Sequence, residues 1–124
     1  MTPDEISKRV LDASFKVYSR LGPGLLEEAY KVCLRHELQN QKLHVLSEVG
    51  LPVVYDGVSL DVGFRIDLLV EDALIVERKS VHQLAPIHKA QILTYLKLSK
   101  ISLGLLLNFN SVHLKDGIVR VINS

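Results

Sequence analysis

"FRIDLLVEDALIVERKS", residues 64–80, contains two apolar runs separated by Glu71-Asp72-Ala73. Runs of this length and composition read as strands, and the short polar break reads as a hairpin turn. Closing the hairpin with Val70 opposite Leu74 puts Asp67 opposite Glu77, Ile66 opposite Arg78 and Arg65 opposite Lys79. Opposed residues share a face, with Cβ atoms about 4.5–5.5 Å apart. Strands alternate faces, so Glu77 and Lys79 project together. Asp67, Glu77 and Lys79 therefore converge on one patch.

Two carboxylates that close repel each other unless a proton or cation intervenes. Oxygen ligands suit a hard divalent cation such as Mg²⁺. A lysine two residues along can orient a water or stabilise charge on a phosphate. The same charges also fit a solvated strand end, with Asp67 or Glu77 paired to Lys79 or Arg65.

The rest of the chain frames this hairpin. Its 124 residues suit one domain, 48% hydrophobic and 23% charged, with a net charge of +1. Such a balance is neither a basic nucleic-acid coat nor an acidic tail, although a local basic cleft remains compatible with it. One cysteine, Cys33, excludes an internal disulfide and points to a reducing compartment. "MTPDEISKRV" lacks the apolar core of a signal peptide, and no run is long enough to span a bilayer. A cytoplasmic protein without a membrane partner is expected.

Thr2 suits an N-cap, Pro3 the first helical position and Glu5 the reciprocal place in a capping box. Ile6, Val10, Ala13, Val17 and Leu21 recur at helical spacing, which predicts a helix over 3–20. Gly22-Pro23-Gly24 breaks it, and a second helix is expected from about Leu25 to Gln41. β-branched residues then dominate 43–70, with Asp56-Gly57 as a hairpin signal. Pro86 opens a third helix over 86–99. "SLGLLLNFN" (102–110) reads as a central strand buried on both faces. Asp116-Gly117 is expected to turn between short strands near Val112–Leu114 and Ile118–Ile122. The predicted order is α-α-β-β-β-α-β-β, with a helical crossover and a mixed sheet packed by helices.

Two helices carry polar residues toward their apolar faces. In the second, Leu26, Ala29, Tyr30, Cys33, Leu34 and Leu38 form the apolar stripe, and Glu27 falls within it. Glu28, Lys31, Arg35 and Gln39 form its polar face, and Glu37 points partly inward. A core-facing carboxylate needs a partner or a metal. In the third helix, His88, Gln91 and Tyr95 share a face at spacings of three and four. That stripe suits either contact with a nucleic-acid backbone or base, or polar tips at the rim of a packed helix. No zinc-like spacing, Walker loop or dinucleotide-binding glycine pattern is present.

The ordered set Glu27, Asp67, Glu77-x-Lys79, Gln91-x-x-x-Tyr95 resembles the PD-(D/E)XK nuclease superfamily. Within it, the chain looks like the small GxxExxY proteins, whose motif stands here as Gly24-Leu25-Leu26-Glu27-Glu28-Ala29-Tyr30. The resemblance runs from about residue 4 to 122. It implies an α/β (α+β) chain with a restriction-endonuclease-like mixed β-sheet flanked by helices, forming one domain over 1–124.

Carried over by position, Asp67, Glu77 and the backbone carbonyl of Arg78 would ligate Mg²⁺ or Mn²⁺. Lys79 would position the attacking water or stabilise the transition state, and Glu27 would stand at the site's edge. Gln91 and Tyr95 resemble a pair that borders the active site in helicase-associated exonucleases of the superfamily. His88 and Arg65 join them as expected substrate contacts. The implied activity is metal-dependent phosphodiester hydrolysis of DNA, or of RNA, in repair, defence or mobile-element processing. A homodimer fits a short enzyme that must cut both strands of a duplex. The alternative is a non-catalytic module of the same fold that binds nucleic acid or protein. Between Glu77 and Lys79 the superfamily usually has an apolar residue. Arg78 is expected to face the helices, away from the metal-binding side chains, and to need a carboxylate partner or a route to solvent.

Overall fold

The computed structural model describes residues 1–124. Three helices are present: α1 (Pro3–Leu21), α2 (Glu27–Asn40) and α3 (Pro86–Ser99). Seven strands accompany them: β1 (Val45–Gly50), β2 (Val53–Tyr55), β3 (Val58–Leu60), β4 (Arg65–Val70), β5 (Leu74–Lys79), β6 (Leu103–Asn108) and β7 (Ile118–Ile122). Five of them form one sheet in the order β1-β4-β5-β6-β7, while β2 and β3 form a separate two-stranded ribbon. Only β5 and β6 run parallel, and α3 makes the crossover between them. The chain is thus a mixed α+β fold with a restriction-endonuclease-like sheet.

Five strands precede α3, not three, because Asp56-Gly57 closes a small hairpin of its own between Tyr55 and Val58. Both turn residues have positive φ, at 55° and 75°, as a type I′ turn requires. A second correction concerns Val112–Leu114, which forms no strand. A short 3-10 turn, Leu114–Gly117, leads directly into β7. α2 begins two residues later than expected, which leaves Leu26 outside the helix and 83% exposed rather than on its buried stripe.

Thr2 and Pro3 start α1 as expected, with Thr2 Oγ1 accepting from the Glu5 N–H at 3.2 Å, but the Glu5 side chain makes no reciprocal bond and the capping box is half formed. Its buried face, Ile6, Val10, Ala13 and Val17, meets Tyr30, Leu34 and Leu38 of α2 above one side of the sheet. Leu68, Val70, Leu74, Val76, Leu105 and Leu107 supply the strand side of that core. The inward-leaning Glu37 is satisfied by Lys16 of α1 at 2.9 Å. On the opposite face, Ile92, Tyr95 and Leu96 of α3 pack on Ile66, Ile75, Leu106 and Val121. Close seating of α3 requires Gly104 in β6, where a Cβ would stand 2.9 Å from Ile92 Cδ1. The sheet therefore lies between α1–α2 on one side and α3 on the other, and β6 is buried along its whole length.

Candidate active site where β4 and β5 part

The β4–β5 hairpin has the expected register, with Val70 opposite Leu74 and Leu68 opposite Val76. Ladder pairing ends there, so none of the further expected pairs, Asp67 with Glu77, Ile66 with Arg78 or Arg65 with Lys79, is a strand pair. Arg65 instead pairs with Gly50 of β1 and reaches Asp61 at 3.5 Å. The cause is a switch of faces at Asp67. Leu68 and Val70 belong to the α1–α2 core, and strict alternation would put Ile66 there too. Ile66 instead joins the α3 core. Across the sheet, β1 switches at the same level: Glu48 has φ +54°, between the pairs Ser47–Leu68 and Val49–Ile66. A non-glycine residue in the left-handed region is uncommon and marks a local reversal of the pleat.

Side chains replace the missing ladder bonds. The Asp67 N–H donates to Glu77 Oε1 at 3.1 Å, and the Arg78 N–H donates to Asp67 Oδ2 at 3.0 Å. Asp67 and Glu77 are 9% and 6% exposed, so both carboxylates sit in a largely desolvated gap between the strands. Burial, reinforced by the neighbouring Asp67 charge, pushes Glu77 up to about 8. Lys79 acts in the opposite direction on Glu77, which places its ammonium within electrostatic reach. Tyr95 is also raised, first by burial and then by the charges of Glu77 and Asp67. The two carboxylates, Lys79 and Tyr95 therefore share one electrostatic environment.

The remaining predicted residues divide. Glu27, the first residue of α2, accepts from the Ser80 N–H at 3.3 Å and so adjoins the end of β5. Gln91 Nε2 donates to the Tyr95 hydroxyl at 3.2 Å, and Phe64 packs on Tyr95 with ring centroids 5.9 Å apart. His88 Nδ1 accepts from the Ala85 N–H at 2.9 Å, so half of its ring is used in holding the start of α3. Arg65 is exposed on the neighbouring strand.

Arg78 departs from expectation. It lies on the α1–α2 side, yet its Nη1 forms an ion pair with Asp67 Oδ2. It does touch a metal-binding candidate, because the reversal at Asp67 turns that carboxylate toward it. Its Nε donates to the Glu27 carbonyl at 3.1 Å, and Nη2 lies 3.5 Å from Glu28 Oε2. Burial opposes the guanidinium charge, but the bond and charge of Asp67 outweigh it and raise the Arg78 pKa. Glu28 also pairs with Lys31 at 3.1 Å, and Lys31 with Glu48. Lys31, read from sequence as polar-face, is only 5% exposed. Sequence reasoning missed this chain of charges, since nothing local places β1 over α2.

Asn108 escaped notice, and the hydroxyl of Tyr30 has a role beyond the apolar stripe and motif in which the sequence places that residue. Asn108, 2% exposed, accepts from the Val81 N–H and donates to the Val81 carbonyl, fixing the chain just beyond Lys79 and Ser80. A lone Asn at the end of "LGLLLN" was the available signal. The Tyr30 hydroxyl donates to the Gly22 carbonyl at 2.6 Å and accepts from the Leu25 N–H at 3.1 Å, while its ring stacks on Phe109. Tyr30 thereby folds the segment before α2 so that Glu27 reaches Ser80. An open pocket of about 520 Å³ borders this corner, lined by Gly24, Leu25, Leu26, Glu27, Ser80 and Asn110.

A family model described as the PD-(D/E)XK nuclease superfamily matches residues 4–121. The chain belongs to the PD-(D/E)XK nuclease superfamily. Nucleases of this superfamily act on nucleic acid and generally use divalent metals. No curated protein and no solved structure matches the chain. For a PD-(D/E)XK chain, the donor set at Asp67 and Glu77 fits a hard cation: two buried carboxylates share one gap, and burial, reinforced by the Asp67 charge, pushes Glu77 to about 8. No group of three or more His, Cys, Asp or Glu side chains gathers there. Mg²⁺ commonly takes one or two carboxylates and completes its shell with water and substrate oxygens, so a pair suffices. No helix is long and apolar enough to cross a membrane.

Proposed function

We propose that this chain is a divalent-metal-dependent nuclease that hydrolyses phosphodiester bonds, with residues 1–124 acting as one domain. The observation that carries the reading is the pair of buried carboxylates, Asp67 and Glu77, each bonded to the backbone of the opposite strand where β4 and β5 part, with Lys79 in electrostatic reach. Asp67, Glu77 and the Arg78 carbonyl would hold Mg²⁺ or Mn²⁺. Once bound, the ion would polarise a phosphate and lower the pKa of a water. Lys79 would orient the attacking water and neutralise charge on the phosphate oxygens. Glu27 would stay at the edge of the site, its carboxylate fixed by Ser80. Gln91 and Tyr95, already bonded to each other, would line the substrate side, with the free His88 nitrogen and Arg65 as outer phosphate contacts. The Gly24–Glu27–Tyr30 spacing further supports membership of the GxxExxY group. DNA is the proposed substrate, with RNA the comparison, in a cytoplasmic role in repair, defence or mobile-element processing. A homodimer would serve duplex cleavage.

The test is cleavage of single- and double-stranded DNA and RNA with Mg²⁺ or Mn²⁺. Wild-type protein should cut at least one substrate, and Glu77→Ala should lower the rate at least about a hundredfold, as loss of metal-assisted catalysis requires. Equal cutting by Glu77→Ala would contradict the proposal. One observation favours a second reading, the non-catalytic module: Asp67 is already paired with Arg78. Calorimetric titration with Mn²⁺ separates the two, since a module of that kind would not bind the ion at Asp67 and Glu77.

A further inference from the structure

Arg78 is a cation buried within the proposed metal site, and it has more than one acceptor. Its Nη1 pairs with Asp67, its Nε is held by the Glu27 carbonyl, and its Nη2 lies near Glu28. The Arg78 side chain is 8% exposed and that of Glu28 is 66% exposed. The guanidinium therefore bridges an inner carboxylate, which the metal would need, and an outer one, which it would not. No buried side-chain polar atom lacks a hydrogen-bond partner, and Asp67 already has a cation beside it in Arg78.

We propose that Arg78 is an internal counter-cation that competes with the metal for Asp67 and so sets the metal affinity of the site. This rests on the nuclease reading and deepens it into a form of regulation. Without metal, Arg78 pairs with Asp67 in the dry gap that Asp67 shares with Glu77. A divalent ion held by Asp67 and Glu77 would be opposed by the Arg78 charge already paired with Asp67. Glu28, tethered to Lys31 on the far side, offers the displaced guanidinium end a second anion while the Glu27 carbonyl keeps its hold on Nε. Arg78 is thus a positioning residue with two seats, and the occupancy of the inner one falls as metal binds. Occupation would then need a higher free metal concentration than an apolar residue at the same position would demand.

The experiment is Mn²⁺ titration by calorimetry together with metal-free thermal unfolding, on the full chain, for wild type, Arg78→Met, Arg78→Lys and Glu28→Gln. Arg78→Met should bind Mn²⁺ at least about tenfold more tightly, since one unfavourable charge contact has gone, and should melt at a lower temperature without metal. Arg78→Lys should stay nearer to wild type on both readouts. Glu28 is solvent-exposed, so Glu28→Gln should fold even if Arg78→Met does not. Without its outer seat, Arg78 should stay on Asp67 and Mn²⁺ binding should weaken about two- to fivefold. Wild-type binding with unchanged or weaker affinity in Arg78→Met overturns the competition and leaves the nuclease reading standing. If Arg78→Met does not fold, unchanged affinity in Glu28→Gln overturns it equally. Absence of Mn²⁺ binding in every protein overturns both. Binding in Arg78→Met alone supports the competition and overturns the nuclease reading of the wild-type chain, with Arg78 holding the site shut.

Discussion

Glu77 carries the largest electrostatic perturbation in the site, and its sign makes a prediction. The folded-state pKa of about 8 lies above the ordinary carboxylate value of 4.5. A group raised on folding contributes stability that is fully present below its unfolded pKa and is lost as pH rises through the folded one. Metal-free protein should therefore lose stability between about pH 4.5 and pH 8. Glu77→Gln, which cannot ionise, should lack this part of the slope and melt above wild type at pH 8.5. Glu28, Glu37 and Asp61 have lowered pKa values, caused first by Lys31, Lys16 and the Gly63 N–H respectively. Their effects run the other way and fall below about pH 4.5, outside that window. Thermal melts of both proteins across pH 4–9 measure the difference. Lys79 is predicted to act on chemistry rather than on metal retention. Lys79→Ala should cut the cleavage rate by about 10²-fold or more while Mn²⁺ affinity, read by calorimetry, stays within about threefold.

At the level of elements, the seating of α3 and the independence of the β2–β3 ribbon are open to test. Gly104→Ala puts a methyl against Ile92 in a closed layer and should cost about 1–3 kcal/mol by denaturant unfolding. Shifting α3 also moves Gln91 and Tyr95, so cleavage should fall further than stability alone explains. The β2–β3 ribbon should be indifferent: Val54 and Tyr55 are 65% and 72% exposed, and replacing either with Ser should change stability by no more than about 0.5 kcal/mol.

The same contrast shows what was legible. The β4–β5 register could be read because a short polar break joins two apolar runs, and turn geometry sets the pairing next to it. The crossover of α3 followed from one helical pattern between two apolar strands. The separation of β2 and β3 from the main sheet could not be read, because β-branched content reports a pleated surface and not which strands pair. Val112–Leu114 resembled a strand for the same reason, although Val112 is 80% exposed and the chain turns there.

On the scale of the molecule, two apolar cores grip one sheet from opposite sides, and the candidate site lies where that sheet changes the face it presents. Leu68 and Val76 end the ladder in one core while Ile66 and Ile75 sit in the other. Asp67 and Glu77 occupy the seam, which is how a chain of ordinary composition holds two adjacent buried carboxylates. Sequence alternation located the carboxylates but assumed an unbroken pleat. It therefore sent Arg78 away from Asp67, and only the reversal shared by Glu48 and Asp67 brings the pair together.

The central claim is that this seam binds a divalent cation. Anomalous diffraction from a crystal soaked in Mn²⁺ tests it most directly. The account predicts a peak at coordination distance from both the Asp67 and Glu77 carboxylates. A fully soaked crystal with no peak at those residues, or with one held by either carboxylate alone, would contradict it.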